Sequence, residues 1–278
     1  MELYETIFKQ LECIMRGKRI DENSLLSQSE ELLVWSLNEY KTKGIQGTHF
    51  DKEIQQQNID LAVKLHNKSK SVHLNSKIFS EIITNLKASA AWILTTYGHA
   101  NTKFVIMFIR LHCRAASELI ALEKLDFAES SLRKVAECWK MLNSQALERI
   151  LPPVDLEGLR FVVFNSFLDY SKLLRSMAGD EEVIKNCIGC ALELLDNLPD
   201  VRLTFSRHVL DIGQDLAIRK SSYHEAIHYL RIALSSLHVI QTSVQSANQN
   251  ISQYPQDESR VLLTKTHLSM AFVYQELK

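Results

Sequence analysis

Apolar side chains recur at i, i+3, i+4 and i+7 almost from end to end of the chain, the period of a helix with one buried face. The pattern predicts helices near 24–41, 52–69, 76–97, 102–122, 126–148, 155–178, 180–197, 201–219, 222–246 and 257–277, with 2–16 helical as well. Asp155, Asp180 and Asp200 stand where a side-chain oxygen accepts the orphan N–H groups of a first helical turn, so each is read as a cap. Pro152-Pro153, Pro199 and Pro255 fall between periodic stretches and act as punctuation. No window alternates apolar and polar residues as a half-buried strand would. The expectation is an all-α chain.

Short connections between these helices predict antiparallel hairpins. The longest loops fall near 44–50 and 247–256, and neither has the Ser/Gly character of a linker, so 1–278 is read as a single domain. A row of hairpins is a solenoid, and solenoids carry repeats. In residues 208–234, Leu210, Gly213, Ala217, Tyr223, Ala226, Leu230 and Ala233 take the spacing of one tetratricopeptide (TPR) hairpin. Small residues mark the helix crossing there, and Tyr223 and Leu230 fill its sides. A second match spans 112–136, with Ala115, Ala116 and Leu119 on its first helix and Leu125, Ala128, Leu132 and Val135 on its second. A third begins at Leu268, Ala271 and Phe272 and meets the final residue, Lys278, where its second helix is due.

The expected fold is therefore a TPR-like α-α superhelical solenoid. Degenerate helices occupy 1–100, clearer repeats lie near 102–148 and 201–246, and a truncated repeat lies at 257–278. The chain is read as part of a longer protein. Its last helix is expected to lack a partner and to favour self-association.

The same stretch contains His224-Glu225-Ala226-Ile227-His228, an H-E-x-x-H string. On a helix this places two histidines one turn apart, where both can hold Zn²⁺ while the glutamate activates a water. Context argues against it. The extended form of the motif would need Gly at 231 and His at 234, and these are Arg231 and Leu234. Zinc peptidase sites of this type also sit beside a sheet edge, and no strand is expected. The TPR register puts Ala226 in the crossing and the two histidines with Glu225 on the more exposed side. No metal, cofactor or catalytic residue is assigned, although a zinc metallopeptidase is kept as the remote alternative.

Composition narrows the picture further. The chain has 278 residues, 46% of them hydrophobic and 23% charged, which suits a folded protein rather than a disordered one. Only 8 glycines and 4 prolines occur, too few for a turn-rich sandwich or barrel. Net charge is −1 and the basic residues are dispersed, so no stripe for direct nucleic-acid binding is present. No apolar run reaches the ~18–20 residues that span a bilayer. The amphipathic N-terminus carries acids and is not a signal peptide, and the five scattered cysteines suit a reducing compartment. An intracellular location follows.

Cys187-Ile188-Gly189-Cys190 is a lone CxxC within a helix, without the second pair that a zinc site needs, and reads as packing residues. His112-Cys113 reads as a half-buried histidine beside a packing cysteine. Trp35, Trp92 and Trp139 are expected in the core.

The order of segments adds a resemblance. Ile59-Asp60-Leu61-Ala62-Val63-Lys64-Leu65 precedes LHCRAASELIALEKLDFAESSLRKVAECWKML, within which Leu125-Asp126-Phe127-Ala128-Glu129-Ser130-Ser131-Leu132-Arg133-Lys134-Val135 forms a second repeat helix. Together these resemble the meiotic TPR scaffold of the ZMM crossover group, a sporulation and synapsis protein family. The likeness covers roughly 30–278 and corresponds to the N-terminal part of a longer family pattern. It implies a nuclear, chromosome-associated scaffold that promotes crossovers and synapsis by bridging recombination factors and axis proteins. It implies no catalytic residues. Partners would be peptides or helices of other proteins held in a concave groove. A TPR scaffold in an unrelated, non-meiotic complex is the alternative.

Overall fold

The computed structural model describes residues 2–44, 52–71, 76–98, 102–142, 144–219, 222–246 and 254–277, and every regular element among them is helical. The chain divides into two compact units, Met1–Met177 and Ala178–Lys278. The join is a short turn in which Ala178 adopts a left-handed φ of 52°. Asp180 then caps the next helix, accepting from the Glu182 amide at 2.9 Å. Such a turn looks in sequence like any hairpin connection, which is why no boundary is visible there.

The first unit contains α1 (Glu2–Met15), α2 (Glu22–Glu39), α3 (Lys52–Ser71), α4 (Lys77–Tyr97), α5 (Thr102–Ala121), α6 (Leu125–Met141), α7 (Ser144–Ile150) and α8 (Pro153–Ser176). A π-helical turn, Tyr40–Gly44, continues α2. The organising element is α4, which packs against α2, α3 and α5. From Ala88 to Tyr97 every residue of α4 is buried, as expected of a helix that is apolar or small all round. The run Ala88-Ser89-Ala90-Ala91 lets neighbouring helices approach closely. Its buried hydroxyls Ser89, Thr95 and Thr96 each donate to the carbonyl four residues back, at 2.8–2.9 Å.

Two kinds of neighbour meet at α4. Thr95 pairs with His112 while Thr84 pairs with Glu118, so α4 and α5 run antiparallel as a hairpin. Asn85 donates to Ser29 and Tyr97 to Glu39, so α2 and α4 run parallel, with α3 intervening in sequence. Lys124, in the α5–α6 turn after the left-handed Glu123 (φ 60°), ties these layers together. Its Nζ reaches Glu30 and Glu81 at 2.8 Å each and Asn85 at 3.2 Å.

The second unit contains α9 (Glu181–Leu194), two 3₁₀ turns (Leu195–Asn197 and Pro199–Val201), α10 (Arg202–Ile218), α11 (Tyr223–Ser246) and α12 (Tyr254–Glu276). Its main packing is α10 on α11, followed by α11 on α12. Tyr223 reaches Glu276 and Arg231 reaches Tyr274, so α11 and α12 are antiparallel. Arg207 pairs with Glu258 and Gln214 with Ser269, so α10 and α12 are parallel. In both units, then, sequence neighbours pair antiparallel, α4 with α5 in the first and α11 with α12 in the second, and a pair two helices apart packs parallel, α2 with α4 and α10 with α12.

Several expectations are corrected. The helix expected over 126–148 is two, α6 and α7, because Leu142 is extended at the end of α6 (ψ 126°). Asp155 does not cap α8, which starts with Pro153 at its first position, where a missing N–H costs nothing. Asp200 lies inside a 3₁₀ turn, and α10 begins without a side-chain cap. Side-chain caps also form at Asp21 on α2, Ser76 on α4 and Ser222 on α11. Trp92 is buried (2% exposed), but Trp35 is 41% exposed and Trp139 is half-buried. The last helix is not unpartnered: Leu262, Leu263 and Val273 of α12 are buried, whereas Leu268, Ala271 and Phe272 are exposed. Of the two long loops expected, 45–50 and 247–253 lie outside the described residues.

Candidate functional site

The repeat-signature residues form packing seams. In the first unit Ala115, Ala116, Leu119, Ala128, Leu132 and Val135 are buried between α5 and its neighbours, with Leu125 half-buried at the start of α6. In the second, Leu210, Gly213, Ala217, Ala226, Leu230 and Ala233 are buried along α10 and α11, with Tyr223 half-buried. Gly213 is the tightest point. A Cβ built there would stand 2.8 Å from Leu230 Cγ and 3.2 Å from the Ala226 carbonyl oxygen. The buried ones hold helices to each other and leave none of their own surface for a partner, while Leu125 and Tyr223 stay partly exposed.

The H-E-x-x-H string lies on α11 with His224 and His228 exposed and Ala226 buried. Zinc chemistry would require Glu225 to face a water held beside both histidines. Instead the Glu225 carboxylate accepts from Lys185 Nζ of α9 at 2.9 Å, and Tyr229 of the same helix donates to Glu181 at 2.7 Å. The glutamate therefore serves the α9–α11 contact. Among the described residues, no group of three or more His, Cys, Asp or Glu side chains could hold a metal ion. Among them, too, no helix is long and apolar enough to cross a membrane.

The chemically richest cluster lies in the first unit, and periodicity gave little sign of it. Tyr40 and Trp92 stack with ring centroids 5.0 Å apart, and Trp92 meets His112 edge-on at 4.6 Å. Lys134 donates to Tyr40 Oη at 2.7 Å and to Glu137 at 3.2 Å, and sits 4.8 Å from the centre of the Tyr40 ring. Burial works against the charge on Lys134. Its bonds to Tyr40 and Glu137 outweigh that and lift the ammonium above the usual lysine range. A groove of about 320 Å³ opens here, lined by residues that include Leu37, Tyr40, Trp92, Arg133 and Lys134.

His112 is fully buried rather than half-buried. The Thr95 hydroxyl lies 2.8 Å from both the Ala91 carbonyl and His112 Nε2, and Nδ1 has no hydrogen-bond partner. Burial, reinforced by Lys134, pushes its pKa down to about 3. Burial also pushes the Cys113 thiol up to about 12, against its hydrogen bond with Ser166, and the Cys138 thiol up to about 11. Neither thiol supplies a thiolate near neutral pH, and His112 supplies no general base for one.

The His112 value gives a pH prediction. Because the folded pKa lies below the unfolded one, the unfolded chain gains the proton first as pH falls. The resulting stability is complete above about pH 6.5 and is lost from there towards pH 3. Between pH 7 and pH 5 the wild type should lose about 2 kcal/mol more than His112→Gln in urea unfolding. Identical pH slopes for the two proteins would contradict this.

Two further grooves lie on the described surface. One, of about 300 Å³, lies between α3 and α5 and is lined by His66, Lys103, Ile106, Met107, Arg110, Leu111 and Arg114. The other, of about 350 Å³ in the second unit, includes Leu192, Arg202, His228, Arg231, Ile232 and Val239. All three are open grooves along helix faces.

No protein-family model matches the chain, and no curated protein matches it. Two solved structures are similar to it over 99% of its length. One is described as a circular tandem repeat protein with novel repeat topology and enhanced subunit contact surfaces. It is 11% identical, with a TM-score of 0.29, and the chain spans 65% of its length. The other comes from the computational design of self-assembling cyclic protein homooligomers. It is 10% identical, with a TM-score of 0.23, and the chain spans 95% of its length. The fold assignment rests on the helix packing itself.

Proposed function

We propose that this chain is a protein-interaction scaffold that acts by binding and carries out no reaction. In this reading it works in the nucleus, on chromosomes, promoting meiotic crossover formation and synapsis by bridging recombination and axis proteins. The observation that carries the scaffold reading is the stacking of helices in neighbouring pairs, with parallel packing across an intervening helix in each unit. Helices stacked this way bury their signature positions against each other and present grooved outer faces, as helical-repeat binding proteins do. The meiotic part rests on the resemblance at Ile59–Leu65 and Leu125–Val135. The tie between Glu225 and Lys185 supports a packing role for the H-E-x-x-H string.

Affinity capture of the tagged chain from meiotic and from proliferating cells, read by mass spectrometry, tests the proposal. Recombination or synaptonemal proteins enriched only from meiotic cells are expected. The same non-meiotic complex from both would keep the scaffold and end the meiotic assignment. Stoichiometric zinc together with peptidase activity lost in Glu225→Gln would replace the scaffold by a metallopeptidase.

A further inference from the structure

We infer that the groove between α3 and α5 docks an acidic amphipathic helix of a partner protein, a refinement that rests on the scaffold reading above. Lys103, Met107, Arg110 and Arg114 follow one another along α5 at i, i+4, i+7 and i+11, and so share one face. That stripe is about 16 Å long, three turns of helix. Ile106, Met107 and Leu111 provide an apolar floor, Lys103, Arg110, Arg114 and His66 line the sides, and no acidic side chain lines the groove.

Carboxylates neutralise part of the charge in each of the other two grooves. Beside Trp92, Lys134 is bonded to Tyr40 and Glu137, and Arg133 pairs with Glu129 at 3.6 Å. On α11, Arg231 donates to Tyr274, and Arg202 pairs with Asp196 at 3.6 Å. In the α3–α5 groove Arg110 donates to the Asp155 backbone carbonyl at 3.0 Å, and no carboxylate of a described residue pairs with its charge. Arg114 is exposed and makes no ion pair with a described residue.

Guanidinium groups flanking an aliphatic floor match a segment with Glu or Asp on its edges and Leu, Ile or Met along its centre. Nucleic acid is the less suitable occupant. No Phe, Tyr or Trp side chain lines the groove to stack a base, and a phosphate backbone would gain nothing from Ile106, Met107 and Leu111.

The test uses the full chain and a fluorescein-labelled Glu/Leu amphipathic peptide about 18 residues long, a length at which a helix can form. A Lys/Leu peptide and a DNA duplex serve as comparisons, with anisotropy as the readout. Expected is saturable binding of the Glu/Leu peptide that weakens with salt and is at least about tenfold weaker in Arg114→Glu. Met107→Asp should weaken it comparably, and the Lys/Leu peptide should not bind. Both positions line the surface, and unchanged circular dichroism and urea midpoints confirm that the variants fold.

No binding of the Glu/Leu peptide would overturn the inference, as would binding indifferent to both substitutions. Duplex DNA bound more tightly than the peptide, lost in Arg114→Glu but intact in Met107→Asp, would overturn it in favour of phosphate recognition. A chain that binds the peptide as expected yet captures no protein from cells would end the scaffold proposal and leave the groove. Cellular partners retained fully by Arg114→Glu and Met107→Asp would end the groove alone.

Discussion

Trp92→Ala is expected to destabilise the first unit by about 3–5 kcal/mol, the range for removing a large buried aromatic side chain. Trp92 is among the largest fully buried side chains and lies on the helix that α2, α3 and α5 all pack against. It touches Tyr40 and His112 from two directions, with ring centroids at 5.0 and 4.6 Å, so its loss would strip partners from both. The hole would be flanked by α4 backbone that is buried throughout and cannot easily collapse into it. Against a total stability of about 5–15 kcal/mol, such a loss is large. The remaining tryptophans, Trp35 and Trp139, also belong to the first unit, so their fluorescence reports that unit's unfolding. Its urea midpoint should fall sharply. A loss below about 1 kcal/mol would mean that Trp92 is not the keystone described here.

The second large effect is a coupled pair at the α10–α11 crossing. Leu230→Ala alone should cost about 2–5 kcal/mol, because Leu230 is fully buried. Gly213→Ala alone should cost about 1–3 kcal/mol. The new methyl would press on Leu230 Cγ and the Ala226 carbonyl, and this outweighs the ~0.5–1 kcal/mol that alanine gains over glycine in a helix. In the double variant the Gly213 methyl occupies space that Leu230 vacates. The combined loss should therefore fall short of the sum by about 1 kcal/mol or more, measured by chemical denaturation followed by circular dichroism. Strict additivity would show that the two side chains do not meet.

The helices were legible because their pattern is local. Amphipathic periodicity located α2 through α12 to within a few residues, and the small residues at Ala115-Ala116 and Gly213 marked real seams between helices. Exceptions have physical causes. An extended Leu142 interrupts a stretch whose composition is helical throughout, and α8 starts at Pro153, which leaves Asp155 inside its first turn. The division at Ala178 was hidden because a capped tight turn does not announce whether the helices around it belong to one unit or two.

The groove chemistry was less visible. Lys134 meets Tyr40 and Lys124 meets Glu30 across 94 residues each, and no periodicity reports such pairs. Lys103, Arg110 and Arg114 were readable as one helix face. Overall charge near zero made the basic residues look dispersed, and only the packing of α3 against α4 beside that face turns them into a groove. Glu225 shows the converse: a motif complete in sequence whose central carboxylate is committed to Lys185.

The most direct test of the account is hydrogen–deuterium exchange on the chain alone and mixed with the partner that capture from meiotic cells enriches. Slower exchange concentrated in residues 103–114 of α5, with little change in the buried α10–α11 seam, is the predicted result. Exchange that the partner leaves unchanged throughout, or protection confined to 224–228 and dependent on added zinc, would contradict the account.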